Sequence, residues 1–296
     1  MIPQFLTDKL TQQYGDISGI LEGYAAKRST TLRVNTLKSD VAEVKAALEA
    51  VGIAYEPAPF SEIAFRLTEA DERVVTALPI YAEGKIYLQS FSSMLPPLVL
   101  APEEGDDILD MAAAPGGKTT QMAAMTRNRA PITACERHPI RAEKLKHNLE
   151  TQGAGNTFVM VTDARQLDDF FSFKRILLDA PCSGSGTVYA EDPALEKTLT
   201  PALIGKCRNT QGALIKKAAK LLKKGGTMVY STCSILREEN EEIVKTVLKG
   251  FGLEIVPIGE EITRGLPVLP VTVPGTLCVQ PTRDYEGFFV AKMIKK

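Results

Sequence analysis

From Gly105 onward, short apolar runs alternate with stretches of helical periodicity, the pattern of an α/β sheet whose strands are joined by crossover helices. Asp107 to Asp110 reads as a first strand and Lys118 to Met125 as the helix after it; Ile132 to Cys135 makes a second strand, Pro139 to Gln152 its helix, and Phe158 to Val161 a third strand. Arg175 to Asp179 is the fourth, an apolar run closing on a carboxylate. The helix that follows takes Thr200 as N-cap, Pro201 in its first turn and Gly225-Gly226 as its stop, with Leu203, Ile204, Cys207, Leu214, Ile215, Ala218, Leu221 and Leu222 on one buried face. Thr227 to Ser231 is a fifth strand. A helix from Glu239 to Lys249, the run Leu253 to Ile258 and a last strand Gly287 to Met293 complete a doubly wound, mostly parallel sheet of about seven strands. The proline-rich stretch Gly265 to Pro281 is expected to be a long surface loop.

The earlier residues differ in texture. Thr31 to Asn35 and Ile63 to Leu67 look like strands, and Asp40 to Val51 like a helix with Asp40 and Glu43 at its start, which predicts a small α+β module packed beside the main sheet. The expected division is residues 1–85 and 86–296.

With 44% hydrophobic and 24% charged residues in 296, the chain can bury a sizeable core. No window approaches the roughly 20 consecutive apolar residues of a membrane span, and Met1 to Phe5 lacks the basic and apolar regions of a signal peptide, so a cytoplasmic protein is expected. Five scattered cysteines with no Cys-x-x-Cys pair or Cys/His cluster predict reduced thiols, no disulfide framework and no metal. Only His138 and His147 are present, and both read as surface residues, which leaves histidine-based catalysis few candidates.

Strand 1 leads into Ala112-Ala113-Ala114-Pro115-Gly116-Gly117-Lys118-Thr119, a small-residue loop that opens a helix and lets backbone N–H groups approach a ligand. Glycine-rich turns alone are weak signals, and a purely structural turn is the competing reading. Glu136 ends strand 2 about 20 residues further on, where a carboxylate in this topology accepts the ribose hydroxyls of a nucleoside. Asp163 ends strand 3, where it could accept an adenine amino group, and Arg141 in the intervening helix is grouped with these cofactor candidates. The loop lacks the Gly-x-Gly-x-x-Gly spacing of dinucleotide sites and the Gly-x-x-x-x-Gly-Lys of a phosphate-cradling loop. A nucleoside cofactor without a pyrophosphate fits better, and S-adenosylmethionine is one.

Strand 4 ends in Asp179-Ala180-Pro181-Cys182-Ser183-Gly184-Ser185-Gly186-Thr187, and strand 5 in Tyr230-Ser231-Thr232-Cys233-Ser234. Free cysteines are usually buried and inert, a reading that suits Cys135, Cys207 and Cys278. It suits Cys182 and Cys233 poorly, because they take matching positions after adjacent strands.

These residues carry a resemblance. Asp110 through Lys118, Asp179 through Gly186 and Ser231 through Ser234 resemble the Sun/Fmu family of RNA (cytosine-5) methyltransferases, as do Arg33 through Lys38, Gln89 with Ser92-Ser93-Met94, and Glu286 through Ala291. The resemblance implies a seven-stranded Rossmann-like methyltransferase sheet, S-adenosylmethionine as cofactor, and RNA, ribosomal or transfer, as the partner; a monomer is expected, although nothing in the sequence reports the oligomeric state. It implies Cys233 as the nucleophile that adds to carbon 6 of cytosine, since carbon 5 is too weak a nucleophile to take a methyl group unaided. Cys182 would assist release of the methylated base, and Asp179 would bond to ring nitrogen 3 and the exocyclic amino group. Lys118 either helps hold the site or forms a salt bridge with no catalytic part. One departure is Ala112, where the family often has cysteine.

A formal charge of −1 sits uneasily with RNA binding, which draws on Lys and Arg. Basic residues do bunch at Arg137, Arg141, Lys144 and Lys146, and from Lys206 and Arg208 through Lys216, Lys217, Lys220, Lys223 and Lys224, but each cluster alone reads as a solvated helix face. Two rivals among methyltransferases, one acting on DNA through Cys182 and one on amino groups, are disfavoured by the second thiol and by the missing aromatic after Pro181. A noncatalytic RNA-binding or assembly factor on the same fold stays open as the alternative from another class.

Overall fold

The computed structural model describes residues 2–296. It opens with two helices that periodicity did not single out, α1 (Gln4–Tyr14) and α2 (Ser18–Ala25). Strands β1 (Thr31–Val34), β2 (Ala54–Ala58), β3 (Ser61–Thr68) and β4 (Ile86–Leu88) then form a small antiparallel sheet in the order β2-β3-β1-β4. Helix α3 (Val41–Ala50) packs on it, started by the Asp40 side chain, which accepts the Glu43 N–H. Two short helices, α4 (Glu72–Thr76) and α5 (Pro79–Ala82), lead into β4, and Leu32, Val34, Val44, Leu48, Phe65 and Ile86 form this unit's core.

Helix α6 (Phe91–Leu100) carries the chain to the main sheet. There β5 (Ile108–Asp110), α7 (Gly117–Met125), β6 (Ile132–Cys135), α8 (Pro139–Gln152) and β7 (Thr157–Met160) follow in turn. Next come β8 (Phe173–Asp179), α9 (Leu195–Thr198), α10 (Pro201–Leu221), β9 (Leu222–Thr232), α11 (Glu241–Leu248), β10 (Leu253–Ile255), α12 (Glu260–Thr263), β11 (Leu277–Val279) and β12 (Phe288–Lys295). The order is β10-β12-β9-β8-β5-β6-β7, with β11 paired to β12. Contacts among β5 to β9 are parallel and those of β12 antiparallel. Strand side chains alternate between two cores: Leu109, Ile176, Leu178, Met228 and Tyr230 join one, Ile108, Leu177 and Val229 the other. This is the α/β fold with helices on both faces that the apolar alternation predicts.

Three departures have physical causes. The stretch Gly265 to Pro281 is not simply a surface loop: Leu266, Leu269, Val273, Leu277, Cys278 and Val279 are buried, and β11 adds an eighth strand that proline-rich composition concealed. Helix α10 ends at Leu221 rather than at the glycines, because buried Leu222 pairs with Phe173 and starts the strand; Gly225 lies inside β9 at φ +67°. The helix expected from Glu239 begins at Glu241, since Glu239 and Asn240 turn their side chains inward.

Among the described residues, no helix is long and apolar enough to cross a membrane. Leu6 and Leu10 of α1 and Ile20 and Tyr24 of α2 lie in the core beneath the main sheet, not in that of the small one, and β4 begins at residue 86, just past the expected division at 85/86. Because Leu10 is fully buried there, Leu10→Ala is expected to lower unfolding free energy by about 2–5 kcal/mol, read from the urea midpoint.

Candidate active site

The chain leaves β5 toward β6 and β7 on one side, then returns to pair β8 with β5 on the other. That reversal of strand order opens a crevice at the carboxyl ends of β5 and β8, where open α/β sheets bind ligands. The loop after β5 enters it. Gly116 has φ +113°, a backbone state L side chains rarely adopt, and a Cβ on Gly117 would lie 2.9 Å from the Tyr87 ring. Helix α8 pins the loop: Arg141 donates to the Ala114 carbonyl at 2.7 Å and Asn148 to that of Pro115 at 2.7 Å.

Two clefts meet at this loop and share Ala112. The smaller, about 70 Å³, is walled by Met111, Pro181 and Leu214, with Glu136 and Asp163 along its polar side. Glu136, 4% exposed, accepts the His138 N–H at 2.8 Å and lies 3.5 Å from the Arg141 guanidinium. Asp163 is not a free acceptor. Arg165 holds both its oxygens, and hydrogen bonding from that guanidinium keeps its carboxyl below the usual range. An apolar slot with carboxylates at its side suits a purine nucleoside, and two of the cations that line it, Arg141 and Arg165, are already committed to those carboxylates.

The larger cleft, about 480 Å³, is lined by Lys118, Asp179, Ser93, Cys233, Glu286 and Phe288 among others. Lys118 Nζ lies 2.7 Å from Asp179 Oδ2, donates to Ser93 Oγ at 2.7 Å, and sits over the Phe288 ring. Burial works to lower the Lys118 pKa, but the charges and hydrogen bond of Asp179, with Asp110 and Cys233, outweigh it and raise it. Of the two readings left open for Lys118, holding the site or a salt bridge alone, the structure shows the bridge, with both partners lining the cleft. Ser231 donates to Asp179 Oδ1 at 2.8 Å, so both carboxylate oxygens are held.

The two singled-out thiols meet here, with Cys182 Sγ 3.0 Å from Cys233 Sγ. Only Cys233 lines the cleft; Cys182 stands behind it. The Cys182 thiol is pushed well up by its hydrogen bond to Cys233, then by burial and the charges of Cys233 and Glu239. Cys135 and Cys278 are raised to about 12 and Cys207 to about 11, chiefly by burial, as inert core thiols should be. Close backbone contact joins the loops: Gly186 donates its N–H to the Cys233 carbonyl at 2.9 Å, and a Cβ on Gly186 would meet the Gly287 carbonyl at 2.0 Å.

A sequence profile described as "16S rRNA methyltransferase RsmB/F" matches residues 97–294, and one described as the RsmF/B-like ferredoxin-like domain matches residues 2–72. The chain belongs to the RsmB/F family. It is 38% identical over 276 residues to the ribosomal RNA small subunit methyltransferase F of Shewanella loihica, covering 90% of this chain and 56% of that protein. It is 35% identical over 305 residues to the 28S rRNA (cytosine-C(5))-methyltransferase of Mus musculus, covering 98% of this chain and 38% of that one. A methyltransferase homologue from Pyrococcus horikoshii superposes with a TM-score of 0.84 at 31% identity, each chain fully covered. The chain thus spans little more than half the length of the bacterial relatives it matches.

Sequence reasoning brought together Ala112 to Lys118, Asp179, Cys182 and Cys233 and passed over three contributors. Arg28 lines the large cleft with no local pattern to mark it, and Ser90 does so from within the Gln89 to Met94 stretch, where only its neighbours were singled out. Glu239 lies in Glu238-Glu239-Asn240-Glu241-Glu242, which reads as a solvated acidic run, yet it is fully buried.

Fully buried Asp110, which accepts from Thr119 at 2.7 Å, has its pKa raised to about 6, first by burial. The folded state then binds this proton more tightly than the unfolded one, so the contribution to stability grows as pH falls from about 6 toward about 4 and is lost as pH rises through about 6. Urea titrations across that window are expected to show a flatter pH dependence in Asp110→Asn than in the parent.

Proposed function

We propose that this chain transfers a methyl group from S-adenosylmethionine to carbon 5 of a cytosine in ribosomal RNA through a covalent adduct on Cys233. The observation that carries the reading is the thiol pair, 3.0 Å apart, with Cys233 facing a cleft that shares Ala112 with the nucleoside slot. Membership of the RsmB/F family and relatives named for rRNA methylation support the substrate class over transfer RNA. The reading asks for no metal ion and for one copy of the chain, working in the cytoplasm.

Bound where the two clefts meet at Ala112, the cofactor would supply an electrophilic methyl group. Glu136 would hold its ribose hydroxyls, the Ala112-Ala113-Ala114-Pro115-Gly116-Gly117 backbone its methionyl part, and Met111, Pro181 and Leu214 its purine. Asp163 would take the adenine amino group only by giving up part of its pairing with Arg165; Arg141 acts by bracing the Ala114 carbonyl and Glu136.

In the larger cleft the Cys233 sulfur adds to carbon 6 as the thiol proton passes to ring nitrogen 3, and the enamine so formed makes carbon 5 nucleophilic. Asp179, fixed by Lys118 and Ser231, faces the same cleft and accepts hydrogen bonds from the exocyclic amino group and protonated nitrogen 3, stabilising the adduct. After methyl transfer, loss of the carbon-5 proton expels the Cys233 sulfur, the step in which Cys182 assists. The base must leave its stack to enter, so unpaired or distorted RNA is the expected target. The small N-terminal unit, expected as residues 1–85, is proposed as an RNA-binding module, since its Arg28 and Ser29 line the large cleft.

The test uses labelled S-adenosylmethionine with unmodified ribosomal and transfer RNA transcripts. Cys233→Ala is expected to lose transfer by more than about 10³-fold, while Cys182→Ala accumulates a denaturation-stable RNA–protein adduct. The reverse pattern would overturn the choice of nucleophile, and cofactor binding with no transfer to any RNA would return the chain to the noncatalytic reading.

A further inference from the structure

The two thiol loops are joined by a carboxylate that no step above uses. Glu239 follows the Cys233 loop by a few residues, is fully buried, and among the described residues has no cationic partner. A buried carboxylate without a counter-charge is costly unless every lone pair is satisfied. Here the satisfying donors come from both loops. Oε1 accepts the Ser183 N–H at 2.8 Å and the Gln211 amide at 3.1 Å, while Oε2 accepts the Ser234 hydroxyl at 2.6 Å and the Ser183 hydroxyl.

Ser183 immediately follows Cys182, and Ser234 immediately follows Cys233. One side chain therefore grips the residue next to each thiol. Neighbouring bonds extend the grip: Gln211 also donates to the Pro181 carbonyl at 2.9 Å, Ser185 and Ser234 hydroxyls lie 2.8 Å apart, and Asn240 donates to the Ser234 carbonyl at 2.8 Å. The Tyr230 hydroxyl, at the end of β9, donates to the Glu239 carbonyl and fixes the clamp to the sheet.

We infer that Glu239 is a positioning residue whose buried carboxylate holds the Cys182 and Cys233 loops in register, so that the two sulfurs face each other at the cleft. It touches neither sulfur and no reacting atom; it acts through Ser183 and Ser234. Its negative charge also disfavours the Cys182 thiolate. The catalytic consequence rests on the function proposed above, whereas the geometric consequence does not.

Two measurements separate them. Diamide oxidises a pair of adjacent thiols to a disulfide, its azo group taking up the two hydrogens and two electrons, so its rate at Cys182 and Cys233, followed by peptide mapping, reports their juxtaposition. In folded Glu239→Gln, where one oxygen that receives two donors becomes an amide donor, cross-linking is expected to slow about tenfold. In the transfer assay with unmodified small-subunit rRNA, kcat should fall about 10²-fold while KM for S-adenosylmethionine stays within about twofold. If the variant does not fold, Ser183→Ala and Ser234→Ala each remove a grip and should slow cross-linking by about threefold or more. Parent rates of cross-linking in whichever of these variants fold, or a kcat loss that only tracks the unfolded fraction, overturn the inference. Cross-linking that responds as expected in a chain that methylates no RNA leaves the clamp standing and sinks the proposed function instead.

Discussion

Parallel pairing of β8 with β9, with Asp179 opposite Ser231, is the constraint from which the site follows. Parallel neighbours deliver their C-terminal ends to the same edge, so residues a few positions beyond each strand emerge side by side. The sulfurs are adjacent for that reason, although 51 residues separate them in the chain. Pairing of β5 with β8 adds the small-residue loop to the same edge, and Lys118 closes the arrangement by reaching from α7 to Asp179. Antiparallel β12 finishes the edge from the far side of β9, since Glu286, Gly287 and Phe288 lie where it begins.

Much of the surrounding support is polar and buried, an arrangement that is expensive unless complete. Arg33 of β1 is 1% exposed and, among the described residues, pairs with no carboxylate; burial lowers its pKa to about 10. It donates to Gln89 at 3.2 Å and to Thr120 at 3.1 Å, and Gln89 donates in turn to Gln121 at 3.1 Å. This network fastens the small sheet to α7, the helix opened by the small-residue loop. The N-terminal unit is thereby part of the cleft's wall rather than a tethered appendage, and α1 and α2 bind it further through the core under the main sheet.

Charge is resolved in the same way. Lys217 and Lys220 pair with Asp169, Lys223 with Asp107, Lys146 with Glu143, and Arg208 with Glu238 and Glu242. Several of the basic bunches are thus locally neutralised helix faces, worth little to stability and weakly available to phosphates. Arg28 and Arg283, which belong to no bunch in the sequence, line the mouth of the large cleft instead. Placement, not total charge, sets the local field, and these two arginines share the cleft lining with Glu72, Asp284 and Glu286.

The amino-acid order alone determined what is local or periodic. Apolar runs marked seven strands, the small residues from Ala112 to Gly117 marked a close backbone approach, and carboxylates at strand ends with thiols just beyond them marked chemistry, because each of these signals is confined to a few neighbouring positions. Only the tertiary structure decided what depends on distant neighbours. Strand β11 exists because β12 offers it an edge, and α10 stops early because Leu222 has Phe173 to pair with. Most of all, Glu239 and its neighbour Glu238 are the same residue type in the same acidic run, one buried among donors from two loops and the other pairing with Lys9 and Arg208 near the surface. No local pattern could separate them, since the difference lies in what the rest of the chain brings to each.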